Sequence, residues 1–269
     1  MARLESKVAI VVGAGQTPGV DVGNGRATTI RFCQEGARVL AVDRDLDSAR
    51  ESLDMAGVPG LDAVACAADT ADTASLKSAV GVALERWGRV DILHYNVGIN
   101  VAAGPQAIDE IEDATFDRIL SVNLRGAIMA VRFVLPIMRA QQAGVITLVS
   151  SITALETRTP LVAYRASKAG LLAFMHQLAA QQAPHGIRVN AILPGLMQTA
   201  MSITSRMQKE GRSREEIIAE RNALVPLRSR GGSGWDVANA AIFLASDEAA
   251  FITGASLPVD GGTLSRIGW

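Results

Sequence analysis

Val8-Ala9-Ile10-Val11-Val12 is apolar at every position and runs directly into Gly13-Ala14-Gly15. A continuous apolar run of this length, closed by glycines, is the pattern of a parallel strand buried on both faces. The pattern then repeats along the chain. Helical spacing covers Gly25 to Gly36, with Gly36 as the stop, and Ala37 to Val42 is a second buried strand closed by Asp43. Asp45 to Met55 reads as helix, Ala63 to Ala67 as a strand closed by Asp69, Thr73 to Trp87 as helix with Gly88 at its end, and Val90 to Leu93 as a fourth strand. Thr115 to Arg139 is a long helical region containing Pro136, followed by a strand at Val145 to Val149 and a helix at Val162 to Ala183. Ile187 to Leu193, Trp235 to Ser246 and Ser256 to Val259 complete the series as strand, helix and strand. Alternating strands and helices with short connections predict a three-layer α/β/α fold around a doubly wound parallel sheet, Rossmann-like and in a single domain over residues 1–269. Residues 196–230 are the least regular part, and they sit where a cap or lid is inserted.

The chain has 269 residues, 49% apolar and 20% charged, with net charge -1, which is a globular composition with no basic excess for nucleic acid. Cys33 and Cys66 make no disulfide framework and are read as small buried hydrophobes. His94, His176 and His185 are scattered and make no metal site. Met1 to Lys7 has no signal-peptide core, and no apolar run reaches membrane-spanning length, so the expected location is the cytoplasm, off the membrane.

A parallel α/β sheet binds ligands at the carboxyl ends of its strands. There this chain places Gly13-Ala14-Gly15, with Gly23-Asn24-Gly25 opening the next helix, then Asp43, Asp69, Asn96-Val97-Gly98, Ser150-Ser151 and Pro194-Gly195. The glycines let a pyrophosphate approach the backbone and the helix N-terminus. An acid after the second strand suits ribose hydroxyls. Tyr164-Arg165-Ala166-Ser167-Lys168 puts a phenol and an ammonium on one helix face. A nearby positive charge favours the phenolate, which makes the pair a candidate general acid/base for a hydroxyl proton.

Together these residues resemble the short-chain dehydrogenase/reductase family of the compact type, from Lys7 to Gly262. The family's glycine turn matches Gly13, Gly23 and Gly25. Its Asn-Asn-Ala-Gly motif appears as Tyr95-Asn96-Val97-Gly98, and its mid-helix asparagine as Asn123. The serine matches Ser151 rather than Ser150, because Ser151 lies thirteen residues before Tyr164. Pro194-Gly195 with Thr199, and Val259-Asp260-Gly261-Gly262, match the later motifs. The resemblance implies reversible hydride transfer between a nicotinamide and a secondary alcohol or ketone, with Ser151, Tyr164, Lys168 and Asn123 as the active site. Tyr164 would move the proton and Ser151 would bond the substrate oxygen. Lys168 would lower the phenol pKa and hold the nicotinamide ribose, with Asn123 supporting a water chain from it. Asp69 would hold the adenine amino group, and Thr199 with the backbone around Met197 the carboxamide. A homotetramer is implied as well, with apolar helix faces around Met129 to Met138 and Leu171 to Leu178 available for packing.

Asp43 favours NAD, since its carboxylate would repel a 2′-phosphate. Arg44 follows it and leaves NADP open. Asn100, Thr153, Leu155, Leu161, Leu196 and Met201 are expected around the substrate, a mainly apolar or neutral set that suits a hydrophobic alcohol or ketone unless Arg158 points inward. Two other readings stand beside this one. One is a catalytically silent nucleotide sensor. The other is a 3-oxoacyl-carrier reductase of lipid metabolism, for which Arg125, Arg132 and Arg139 would be docking residues.

The chain also departs from the family pattern. Nine residues separate Gly13 from Gly23, about six more than the family's turn, with the extra length around Gln16-Thr17-Pro18-Gly19-Val20-Asp21. Pro18 and Gly19 predict a turn that bulges out of the loop beside the cofactor rather than lengthening the helix. Val12, Tyr95 and Val97 replace the family's threonine, asparagine and alanine. Trp269 extends past the family signature, either against another subunit or disordered.

Overall fold

The computed structural model describes residues 2–100 and 106–266. The chain opens with β1 (Val8–Val12), α1 (Asn24–Gln34), β2 (Arg38–Asp43), α2 (Leu46–Asp54), β3 (Ala63–Ala67), α3 (Thr73–Trp87) and β4 (Ile92–Tyr95). It continues through α4 (Asp113–Leu120), α5 (Gly126–Gln141), β5 (Gly144–Val149), α6 (Val162–Gln182) and β6 (Ile187–Pro194). The last part holds β7 (Met197–Gln198), α7 (Ala200–Glu210), α8 (Arg214–Ala223), β8 (Gly232–Ser233), α9 (Gly234–Ala245) and β9 (Ser256–Val259). Seven strands pair in the order β3-β2-β1-β4-β5-β6-β9, all parallel. The order reverses between β1 and β4, and the crevice at that switch point is where such sheets take a ligand.

All five residues of β1 are buried, as the apolar run requires. Alternate side chains leave opposite faces of the sheet. Ile10 and Val12 join a core with Val131, Val134, Leu171 and Met175, under α5 and α6. Ala9 and Val11 join a second core with Ile30, Phe32, Val237 and Ile242, under α1 and α9.

Four segments differ from the sequence reading. β4 runs two residues later than Val90 to Leu93, because its pairing with β1 starts at Ile92 and continues to Tyr95. The preceding Asp91 instead turns its carboxylate back to accept the Val8 N–H at 2.8 Å. The long helix is broken by a π-helical turn, Ser121–Arg125. Such a turn frees a backbone carbonyl from its usual partner. The Tyr95 hydroxyl donates to the Val122 carbonyl at 2.7 Å, which gives this tyrosine a structural task. Residues 196–230 hold two regular helices rather than irregular chain. Both open on capping boxes, Thr199 with Ser202 and Ser213 with Glu216. Finally, Leu171, Met175 and Leu178, expected on a packing surface, are buried in the core of the chain, and Phe174 between them is half-buried.

The stretch Asp113–Gln141 has the length and mean hydropathy, 1.4, of a membrane span, but it contains Arg125 and Arg132 and is a core helix that packs Ala130, Val131, Val134 and Met138 inward. Cys33 is buried, and burial pushes its thiol up to about 12, whereas Cys66 is only half-buried.

His94 is fully buried in β4, with Nδ1 2.7 Å from the Thr147 hydroxyl and its ring edge against Phe32. Burial lowers its pKa from 6.5 to about 3. Between those values the unfolded chain takes up a proton that the folded protein refuses, so stability falls as pH drops from 6.5 toward 3. The contribution is about 1.4 kcal/mol per pH unit. His94→Val is expected to flatten the fall in denaturant-derived stability between pH 6.5 and 4 by about that slope. An unchanged slope would mean that His94 does not resist protonation.

Candidate active site

The glycine turn works by close contact. Gly13 has φ +84°, and its N–H and that of Ala14 donate to the Val42 carbonyl at 2.8 and 3.0 Å. A Cβ on Gly25 would lie 1.7 Å from the Gly13 carbonyl oxygen, so the first turn of α1 can press on the turn only as glycine. The loop is also fixed from the side. Gly15 N–H donates to Asp43 Oδ2 at 2.9 Å, Gln16 N–H to Ser48 Oγ at 3.0 Å, and Ser52 Oγ to the Ala14 carbonyl at 2.8 Å. Arg26, 5% exposed, runs from α1 to Ser48, Ser52 and Glu51 on α2.

The extra loop bulges outward as the Pro-Gly pair predicts. Gln16 Oε1 accepts from Gly23 N–H at 2.8 Å and brings the ends of the bulge together. α1 still begins at Asn24, with its N-terminus on the cavity. Gln16, Thr17 and Pro18 line that cavity. The far side of the bulge docks on the roof. The Asp21 carbonyl accepts from Ala200 N–H at 3.3 Å, its carboxylate pairs with Arg214, and Gly19 lies against Ala200 and Thr204.

The cavity has a volume of about 830 Å³ and opens along the carboxyl edge of the sheet. Asp43 and Asp69 line one end, each holding nearby backbone: Asp43 accepts from Gly15 and Asp45, and Asp69 from Ala71. Arg44 is exposed beside Asp43. Asn96 donates from Nδ2 to the Gly13 carbonyl at 3.2 Å. The glycine contacts and the buried, unpartnered Asn24 Oδ1 at the α1 N-terminus make a cradle open to a ligand's polar groups, which fits a dinucleotide.

In the middle of the cavity lie Ser151, Tyr164 and Lys168. Lys168 is 2% exposed, donates to the Val149 carbonyl at 2.9 Å and sits 5.7 Å from the centre of the Tyr164 ring. Gly98 makes room for it, because a Cβ there would be 3.0 Å from Nζ. Burial brings the Lys168 ammonium down to about 7 and raises the Tyr164 phenol above its ordinary 10, while the Ser151 hydroxyl acts the other way on the phenol. The sequence leads to the expectation that Lys168 lowers the phenol; in the protein alone burial raises it, and the group that pulls it down is Ser151. Ser150 is spoken for, donating to the Lys168 carbonyl at 2.8 Å. Asn123 does not reach into the cavity. It accepts from Ile99 N–H at 2.8 Å, and its Nδ2 donates to the Ile99 carbonyl and to Ser167 Oγ.

Pro194, Gly195, Met197 and Thr199, expected at the carboxamide, lie together, with the Met197 peptide already bonded. Met197 donates to the Gly195 carbonyl, and its own carbonyl accepts from Ser202 Oγ and Arg221 Nη2. Thr199 and Pro194 line the cavity with Gly195. Of the expected substrate contacts, Asn100, Thr153, Leu161, Leu196 and Met201 line it too. Leu155 does not; it is 56% exposed. Arg158 pairs with the buried Glu156. Trp269 lies outside the described residues.

Several residues escaped the sequence reading. Ser48 and Ser52 are four apart on one helix face, and Gln106 accepts from Tyr164 N–H at 3.0 Å at the start of α6. Arg206 and Arg221 line the cavity from the roof. Helical periodicity in 200–223 was the signal for the last two, and the unrecognised capping boxes hid it.

Comparison with known proteins agrees with this geometry. Residues 19–263 match the family model described as enoyl-(acyl carrier protein) reductase. The 3-oxoacyl-[acyl-carrier-protein] reductase of Thermotoga maritima is 34% identical over 264 residues, covering 97% of this chain and 98% of that protein. The solved structure of a short-chain dehydrogenase/reductase of Burkholderia xenovorans is similar with TM-score 0.93 at 39% identity, over 100% of both chains. That of carveol dehydrogenase from Mycobacterium avium in complex with NAD has TM-score 0.89 at 29% identity, over 99% of this chain and 100% of that one. The chain belongs to the short-chain dehydrogenase/reductase family.

Gln16→Ala removes the acceptor for Gly23 N–H and unpins the bulge. One such hydrogen bond is worth about 1 kcal/mol. Amide exchange across residues 16–23 is therefore expected to speed up about fivefold. Exchange as slow as in the parent would show that the bulge is held by its contacts with the roof alone.

Proposed function

We propose that the protein is an NAD-dependent oxidoreductase that interconverts a secondary alcohol and its ketone. The observation that carries this reading is the meeting of Ser151, Tyr164 and Lys168 in one cavity with the glycine turn. Bound NAD would supply the hydride chemistry. In the reductive direction Tyr164 gives its proton to the carbonyl oxygen, and Ser151 donates a hydrogen bond to the same oxygen as charge builds there. Lys168 holds the nicotinamide ribose and favours the phenolate left behind. Asn123 positions the Ile99 peptide and Ser167 near the lysine, and we assign it the support of a proton path from Lys168 to solvent. Gly13, Gly23, Asn24, Gly25, Asn96 and Gly98 form the dinucleotide cradle, with Pro194, Gly195, Met197 and Thr199 at the carboxamide end. Asp69 takes the adenine side.

NAD rather than NADP is supported by Asp43, whose two oxygens are fixed by Gly15 and Asp45, whereas the exposed Arg44 at the cavity edge has no such fixed position. Free ketones are favoured over carrier-bound acyl groups. Arg125 is held by the Ala71 carbonyl and Thr73, Arg139 by Gln182, and Arg132 lies over the Phe133 ring, so each of the three candidate docking arginines has a local structural partner. The family relatives with alcohol and ketone substrates weigh against a silent sensor. A homotetramer is part of this proposal, supported by the apolar groove of Leu120, Leu124, Ile128 and Met129. So is a cytoplasmic location, where Cys33 and Cys66 stay reduced.

Tyr164→Phe is expected to abolish turnover while NAD still binds, and near-parent activity would remove the assigned acid. Ser151→Ala should cost about 10²–10³ in kcat. A loss below about threefold would assign the donor elsewhere. Because the phenol lies above 10, it is protonated and ready for ketone reduction at neutral pH, and alcohol oxidation should rise on the alkaline side. Ser151→Ala should move that rise to higher pH, since the serine lowers the phenol. Asp43→Ala should shift the kcat/KM ratio toward NADP; a parent enzyme that already prefers NADP would reverse the assignment.

A further inference from the structure

The charges on the cavity wall are segregated. Asp43, Asp45 and Asp69 line the end beneath β2 and β3. Arg206 of α7 and Arg221 of α8 line the roof. Arg44 stands between Asp43 and Asp45, so the end beneath β2 and β3 keeps an acidic excess. Of the remaining charged side chains in the wall, Glu156 is neutralised by Arg158, and Asp117 and Arg118 are neighbours of opposite sign. Lys168 stands at the reacting centre.

Arg221 is the unusual member. It is 7% exposed and forms no salt bridge among the described residues. Its Nη2 donates to the Met197 carbonyl at 3.0 Å, and its Nε–H is buried without a partner. Burial and the nearby positive charge of Arg206 depress it to about 10, with Glu220 only partly offsetting them. Glu220 is itself paired with Arg212. A buried guanidinium without a salt-bridge partner of its own is costly, and so is an N–H left without an acceptor. Among the described residues, the half-buried Arg206 forms a salt bridge only with Glu210 on its own helix, at 3.3 Å. Two like charges brought together at one cavity wall lower each other's stability, and an anion between them reverses the sign of that effect. Guanidinium forks match carboxylate and phosphate oxygens in geometry as well as charge.

We infer that Arg206 and Arg221 are specificity-determining residues that bind an anionic group, a carboxylate in the first instance, carried by the substrate at a distance from its reacting carbonyl. The inference rests on the oxidoreductase reading and narrows it. The expected substrate changes from a purely hydrophobic ketone to a keto acid or hydroxy acid whose carbon frame lies along Leu161, Leu196 and Met201. An oxyanion of the cofactor pyrophosphate is the other source of the same chemistry. Its cradle is the glycine turn and the α1 N-terminus, whereas Arg221 is fastened to β7.

The test uses the full chain with NADH and a series of keto acids, 4-oxopentanoate, 5-oxohexanoate and 6-oxoheptanoate, each paired with its neutral methyl ester. Loss of NADH absorbance gives kcat/KM, and thermal shift gives binding independently of turnover. The parent is expected to prefer at least one acid over its ester by about 10- to 100-fold, as a charged hydrogen bond allows. Arg221→Met and Arg206→Met should each collapse that ratio by about tenfold or more through KM, while the dissociation constant for NAD moves less than threefold. A merely structural role for Arg221 would slow acid and ester alike and leave the ratio standing, which would overturn the inference. So would a parent that prefers every ester, or a tenfold weaker NAD in either variant, which would give the arginines to the pyrophosphate. If neither acids nor esters are reduced, a wider panel of neutral ketones decides the oxidoreductase reading separately, and that reading fails if none is reduced. The thermal shift then still decides the anion site: stabilisation by an acid and not its ester, lost in both variants, supports it, and no such difference overturns it.

Discussion

Burying the Lys168 ammonium is the constraint around which this site is organised. An isolated charge taken out of water costs several kcal/mol unless other groups replace its hydration. Here the replacements come from separate elements. β5 offers the Val149 carbonyl, and Ser150 at its end holds the Lys168 backbone. Gly98, after β4, leaves the space a side chain would fill. Asn123 in the π-helical turn ties down the Ile99 peptide next door and grips Ser167 of α6. Tyr164 lays its ring beside the charge. The price of this arrangement is a lysine near neutrality and a phenol held high, both consequences of scarce water.

The π-helical turn shows how an unusual residue is absorbed. Tyr95 stands where the family has an asparagine, and its hydroxyl takes the Val122 carbonyl. Gly126 is needed for this, since a Cβ there would be 2.5 Å from that hydroxyl. Strand, turn and helix are thus adjusted together, and Asn123 stays where it can hold Ile99.

Much of this was legible in the sequence because it is local. The buried strands announced themselves as apolar runs, and the edge they share followed from their being parallel. Ser151, Tyr164 and Lys168 were legible from spacing within one strand–helix unit. What stayed hidden depends on contacts between distant segments. β4 was placed two residues early because Val90 is as apolar as Ile92 and Leu93, and only pairing with β1 sets the register. The apolar face of α6 was indistinguishable from an exposed one until the sheet was laid under it. The direction of the Tyr164 shift could not be read from the nearby lysine, because burial belongs to the whole cavity. The roof was unread for a different reason: its Thr199 and Ser213 caps are signatures in the sequence, but the polar residues between them resemble loop.

The bulge after Gly15 bridges the glycine turn and the roof of the cavity. One end is clasped at the glycine turn by Gln16 and Gly23, and the other is fastened to α7 and α8 through Asp21. Each fastening is modest: the partly exposed Asp21–Arg214 pair is worth no more than about 1 kcal/mol. Their effect lies in cooperativity. A fluctuation that lifts the roof strains the nucleotide turn at the same moment, so the two ends of the cleft breathe as one unit of local unfolding instead of two. A ligand that steadies either end thereby steadies the other.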